Sequence, residues 1–136
     1  MRNLTLLMII SSCLLLFACK KDNKTERFKF LTGHVWTTES LLANGADASG
    51  PGGILEQFKG DAKFNEDGTG YFGIFTGTWR FNIDETELVI VTDTQLLPII
   101  TDIVELNALS LVVTTLYPNP IDQAHPINIR MTFKAK

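Results

Sequence analysis

From about Phe28 onward, apolar and polar residues trade places with a period of two, and turn-forming residues interrupt them at regular spacing. That period sends successive side chains to opposite faces of a strand. In "GTWRFNI", Trp79, Phe81 and Ile83 share one face, while Thr78, Arg80 and Asn82 share the other. In "INIRMTFK", Ile127, Ile129, Met131 and Phe133 oppose Asn128, Arg130, Thr132 and Lys134. This is the pattern of a sheet packed on one side and wet on the other.

Carried along the chain, the pattern predicts about eight strands, after a short helical turn at Arg27 to Leu31. The first is His34 to Leu42 and the second Gln57 to Phe64, which runs into a turn at Asn65-Glu66-Asp67-Gly68. Thr69 to Phe75 and Gly77 to Ile83 read as a hairpin around Thr76-Gly77. Glu87 to Thr92, Ile99 to Leu106, Leu109 to Leu116 and Ile127 to Lys134 complete the set, with a Pro-rich loop from Tyr117 to Pro126. Glu87 to Thr92 and Leu96 to Leu106 carry apolar residues on both faces, and Pro98 marks a break or an edge. Connections this short leave no room for crossover helices, so the sheet is antiparallel. The expected fold is all-β: an up-and-down meander of about eight strands closing into a barrel, with a two-sheet sandwich as the alternative.

The N-terminus breaks the alternation. Met1-Arg2 gives a positive start and Leu4 to Phe17 is almost wholly apolar, at about 14 residues. That is the length of a signal-peptide core and short of the roughly 20 residues a bilayer span needs. Polar residues follow abruptly after Cys19, in "KKDNKTE". With 136 residues the chain is one domain, long enough to bury a core without staples. Its formal charge of −3 argues against a nucleic-acid partner and against a broad basic patch for anionic lipid. A bridge between Cys13 and Cys19, both in the leader, would staple nothing in the domain.

Leu16-Phe17-Ala18-Cys19 resembles the lipobox of bacterial lipoproteins. In that family the cysteine thiol is acylated, the preceding peptide is removed, and the new amino terminus is acylated in turn. The thiol is the nucleophile that takes the lipid, and several acyl chains anchor stably where one would be reversible. Ile10-Ser11-Ser12-Cys13 also fits the box, but its apolar core would be short and it would leave Leu14 to Phe17 as an apolar mature start. The resemblance therefore implies a signal peptide over residues 1–18, a lipidated Cys19, and a polar tether over residues 19–27. Lys20, where an aspartate would retain some lipoproteins in the inner membrane, points to the outer membrane of a diderm bacterium.

The rest of the chain, residues 28–136, resembles the lipocalin-like domains of small lipoproteins in diderm bacteria. Three stretches carry the likeness: "FLTGHVWTTESL", "FNEDGTGYF" and "GTWRFNIDETELVIV". Gly33 and Trp36 match the Gly and Trp of the first strand, with one extra residue between them. Phe64, Asp67, Gly68 and Thr69 match the turn, and Gly77 and Trp79 match the middle strand. The likeness implies a calycin-type barrel and no particular ligand.

The candidate chemistry is sparse. Trp36 and Trp79 could line a cavity, although a core role suits side chains of that size. "NGADASGPGGILEQFKG", Asn44 to Gly60, reads as a mobile loop. As a gate over an open end it would use Ile54, Leu55 and Phe58; as a plain surface loop it would cap the core with Leu55. His34 and His125 fall at opposite barrel ends, which excludes a His-based metal site. The acidic groups around Asp61 to Asp67 and Asp84 to Glu87 lack a calcium-loop pattern and read as solvated turns. Ser40, Ser49 and Ser110 have no nucleophile context, and no cofactor motif is present. The expectation is a non-enzymatic module, anchored to a membrane through Cys19, whose interior (Trp79, Phe81, Met131, Phe133) walls a small apolar or amphipathic ligand. The alternative is a filled barrel acting through its surface, as an envelope interaction partner or an enzyme inhibitor. An enclosed apolar space of about 300 Å³ or more separates the first from the second.

Overall fold

One short helix and nine strands make up the computed structural model, which describes residues 23–136. Cys13, Cys19 and the apolar leader lie outside the described residues. Helix α1 spans Glu26–Thr32. Thr25 caps it, its side chain accepting from the Phe28 N–H, and Glu26 sits favourably in the first turn. At the other end Lys63 Nζ donates to the carbonyls of Thr32, at 2.6 Å, and His34, at 3.2 Å. A cation there offsets the negative end of the helix.

The strands are β1 (Val35–Ala43), β2 (Ala46–Asp47), β3 (Asp61–Phe64), β4 (Thr69–Phe72), β5 (Phe75–Phe81), β6 (Glu87–Thr92), β7 (Ile99–Leu106), β8 (Ser110–Tyr117) and β9 (Ile127–Ala135). Every pairing is antiparallel; from β3 to β9 each strand pairs with the next in sequence, and β1 pairs with β2, β3 and β9. The β1–β9 pairing closes an eight-stranded barrel of β1 and β3 to β9, which leaves no open sheet edge. The two residues of β2 pair with Leu42 and Ala43, continuing along β1 past the point where β3 ends.

The ends of the barrel differ. At one end α1 packs across it and buries Leu31 and Thr32. The turns on this side are 65–68, 82–86 and 107–109. The other end collects loop 44–60, the Gly73-Ile74 turn and loops 93–98 and 118–126. The first is the closed end and the second the open end.

Several elements depart from the expected bounds. The stretch Gln57 to Phe64 is not one strand: Glu56–Phe58 is a 3₁₀ turn, and β3 starts only at Asp61. The hairpin between β4 and β5 turns at Gly73-Ile74, not at Thr76-Gly77. Gly73 takes φ +59 there. Gly77 lies mid-strand for a different reason. A Cβ on it would come 1.9 Å from the carbonyl oxygen of Val91, so its hydrogen lets β5 and β6 approach. Ile83 lies beyond the end of β5 and is wholly exposed, so it does not share the inward face of Trp79 and Phe81.

The mixed faces of β7 have a cause. The β7–β8 register shifts between Ile103 and Glu105, and the β1–β9 register shifts between Thr38 and Ser40. One extra residue at each bulge resets the alternation. Trp36 and Leu41 are therefore both buried although five residues separate them, as are Thr101 and Leu106.

Both ends of the described residues are fastened to the wall. Thr25 Oγ1 donates to Glu85 Oε1 at 2.8 Å, and Arg27 Nε donates to the Glu85 carbonyl at 3.0 Å. Glu85 holds φ +56, an uncommon conformation for a residue with a side chain. Lys24 pairs with Glu66. Residues 24–27, expected in the tether, therefore lie against the closed end. At the C-terminus Lys136 Nζ meets Asp61 Oδ2 at 2.8 Å.

Candidate functional site

The closed end is built for packing. Trp36 is wholly buried, and its indole N–H donates to the Leu31 carbonyl at 2.9 Å. Trp79 donates to the Asn65 carbonyl at 2.9 Å, and its ring packs against Phe28, Phe64 and Phe81 at centroid distances of 5.8, 5.6 and 5.5 Å. Of the expected ligand-contacting residues, Trp36, Trp79 and Phe81 are thus placed in this aromatic cluster under α1. Their N–H groups are already satisfied by backbone, as buried indoles require.

The middle of the barrel is filled. Phe58, Phe64, Phe72, Leu88, Met131 and Phe133 are among the walls of a residual void of about 30 Å³. Such a space is large enough for one water, but a water needs two to four polar partners. Thr101 offers the hydroxyl there, and its Oγ1 is turned toward the Leu88 carbonyl at 3.5 Å.

Above this void a second space opens at the mouth. It measures about 200 Å³, and Ile54, Leu55, Phe58, Phe75, Tyr117 and Met131 line it. Phe58, Ile99 and Met131 line both spaces, so they form the floor of the outer one and the roof of the inner one. The structure therefore brings together Ile54, Leu55, Phe58, Met131 and Phe133 around the open end and the space below it.

Loop 44–60 holds Phe58 in place. Leu55 is buried, and its N–H bonds the Ala48 carbonyl. Glu56 accepts from the Gly52 N–H at 2.8 Å. Thr38 Oγ1 donates to the Gly60 carbonyl at 2.7 Å and accepts from the Gly60 N–H at 3.0 Å. The Ile74 N–H bonds the Gln57 carbonyl, and Phe58 packs on Phe75 at 4.9 Å. A loop expected to be mobile is tied to β1, to β2 and to the β4–β5 turn.

The rim of the mouth is apolar and exposed. Ile54 and Tyr117 stand over the groove. Leu96 and Leu97 follow Gln95, which lines it, and Leu96 is wholly exposed. Ile74 is exposed in the β4–β5 turn, and Ile121 is almost wholly exposed in loop 118–126. Each of the four open-end loops contributes at least one large apolar side chain. Single exposed apolar residues are ordinary on a protein surface; here they recur on every loop of one end.

The charges of this end have one dominant sign. Its loops carry Asp47, Glu56, Asp93 and Asp122, against Lys59 and the histidine His125. Asp122 Oδ2 lies 2.7 Å from His125 Nδ1, and Asp93 Oδ2 accepts from Thr76 Oγ1 at 2.6 Å. The Ser49 N–H and hydroxyl hold the Asp47 carboxyl below its ordinary range.

A notch of about 320 Å³ lies outside the wall, between β1 and Lys59, with Leu41 and Leu42 among its walls. Its Thr38, Asp47 and Ser49 already bond within the wall, so little in it converges on a ligand. Among the described residues no three His, Cys, Asp or Glu side chains gather as a metal site, and no helix is long and apolar enough to cross a membrane.

Sequence reasoning passed over Gln57, Phe75, Gln95, Ile99, Thr115, Tyr117 and Ile129 in the groove. The inward set of β8 could have been extended from Leu111 and Val113 to Thr115 and Tyr117, but a polar residue interrupts it and a proline follows. The sequence matches no protein-family model, and no curated protein shows significant similarity to it.

Proposed function

We propose that this chain is a lipid-anchored binding module of a bacterial envelope, which works through its open end and performs no chemistry of its own. One observation carries the reading. An apolar groove of about 200 Å³ opens at the mouth while the interior beneath it is packed down to about 30 Å³. A carrier that encloses a small molecule wants about 300 Å³ or more, so burial at the rim serves better than burial in the centre.

The lipobox-like Leu16 to Cys19 supports the anchor. Lys24 and Thr25, held at the closed end, set where the chain would leave for the membrane. Five residues from Cys19 to Lys24 reach at most about 18 Å. Lys20 in place of aspartate supports the outer membrane. Changing Cys19→Ser should move the protein from the membrane to the soluble fraction and stop incorporation of labelled palmitate. Retention in the membrane with the serine would contradict the anchor.

A second reading keeps a small apolar ligand inside the barrel. The shared walls Phe58 and Met131 favour it, because displacing Phe58 joins the two spaces. Mass spectrometry of the protein from its own periplasm, native and then denatured, separates the two. An extra mass that leaves on denaturation supports the carrier. Equal masses support the open-end module.

A further inference from the structure

We infer that the open end docks a polypeptide segment that is both apolar and cationic. The inference rests on the open-end reading and names the partner for it. Three observations select that chemistry. Ile54 and Tyr117 line the groove, and Leu96, Leu97 and Ile121 are exposed on loops of the same end, which is the kind of apolar offer that takes amphipathic segments by burying one face. The loops of this end carry Asp47, Glu56, Asp93 and Asp122 against Lys59 and His125, which pairs with Asp122, so the end as a whole keeps a net negative charge, attracting a basic partner and repelling an acidic one.

The third observation is position. The anchoring chain leaves from the closed end, where Lys24 and Thr25 are fastened to Glu66 and Glu85. A strand of the length of β9, tilted as in an eight-stranded barrel, puts the open end about 23 Å further along the axis. A tether of at most about 18 Å cannot turn the mouth onto the membrane that holds Cys19. The carboxylates also repel anionic headgroups. The rim therefore faces water and meets a partner there. A second copy fits poorly, since two open ends would set like charges against each other.

The test uses the full chain held in phosphatidylcholine nanodiscs, with empty nanodiscs as the control. Three peptides of about 14 residues are offered, each with leucine on one helical face and Lys, Gln or Glu on the other. The Lys peptide should bind most tightly and the Glu peptide least. The span should be about tenfold or more, the combined effect of several exposed charge contacts. Salt at about 0.5 M should bring the Lys peptide down to the Gln peptide. So should the combined change Glu56→Gln, Asp93→Asn and Asp122→Asn. Leu96→Ser with Leu97→Ser should weaken all three.

If the three peptides bind equally and the leucine changes weaken all of them, the cationic partner is overturned and the open-end reading stands. If none binds above empty nanodiscs, or the leucine changes have no effect, both fall. A dimer that the leucine changes dissolve would assign the rim to a second copy and overturn the inference.

Discussion

The indole N–H of Trp36 meets the carbonyl of Leu31 at 2.9 Å, and both side chains are wholly shielded from solvent. That bond joins the first barrel strand to the helix beneath it and seals the closed end. The groove lies at the other end, on the side of loop 44–60. Trp36→Ala should cost about 3–5 kcal/mol, from the lost burial, the cavity and an orphaned carbonyl. Trp36→Phe should cost less and still show the lost hydrogen bond. Urea unfolding checks both. Peptide or dye binding at the mouth, measured on the folded fraction, should be unchanged.

Phe58 separates the groove from the void, and it packs on Phe75 at 4.9 Å. Phe58→Ala should merge the two spaces and raise uptake of a neutral apolar fluorophore such as Nile red, while lowering stability by about 2–4 kcal/mol for a half-buried ring. Phe58→Leu should keep more of the wall and fall between the two. Fluorescence titration beside a melting curve reads both effects. Unchanged uptake in Phe58→Ala would show that the ring is not the partition between them.

Gly77 on β5 lies against β6, and a Cβ there would come 1.9 Å from the Val91 oxygen. Gly77→Ala should force the strands apart and cost about 1–3 kcal/mol, in line with overpacked sites. Gly50, where an added Cβ meets nothing within 4 Å, is the control and should accept alanine with little change. Thermal melts of the two variants test the contrast.

The C-terminal clasp has a defined pH dependence. The Lys136 ammonium, then Thr37, hold the Asp61 carboxyl below its ordinary value of 3.8, and Asp61 holds Lys136 above its ordinary 10.5. A depressed carboxyl contributes stability that is full above its unfolded pKa and is lost as pH falls through the folded one. The raised lysine contributes stability that is full below 10.5 and is lost as pH rises through its folded value. Both contributions are therefore complete across neutral pH. In a carbon-detected NMR titration Lys136→Met should move the Asp61 midpoint up toward 3.8. Asp67, held down by the Thr69 hydroxyl and then its N–H, should not move.

The barrel was legible because its inward positions repeat every second residue. Met131 and Phe133 announce their face in the sequence, and the structure buries both. The bulges were not legible. An extra residue at Glu39 or Val104 reads as noise in the alternation, yet it lets Trp36 and Leu41 share the interior. Gly77 was read as a turn because a glycine has two uses, positive φ and close approach, and sequence does not say which. The site was half legible. Ile54, Leu55 and Phe58 stood out as apolar residues in a polar loop. Tyr117 did not, because Pro118 hid the end of its strand; Ile99 was placed correctly at a strand start, but nothing in the sequence shows that this start lies at the mouth. The contents of the interior were not legible at all. Side-chain volumes decide whether a barrel of this size is filled, and alternation carries no information on volume.

The most direct test of a filled barrel that works through its open end is an NMR titration of the protein with a small neutral apolar probe, such as hexanol. Shifted amides should cluster at 54–58, 95–99 and 115–121, around the groove. Shifts centred on Phe64, Leu88 and Leu111, deep in the barrel, would contradict the account and put the ligand inside.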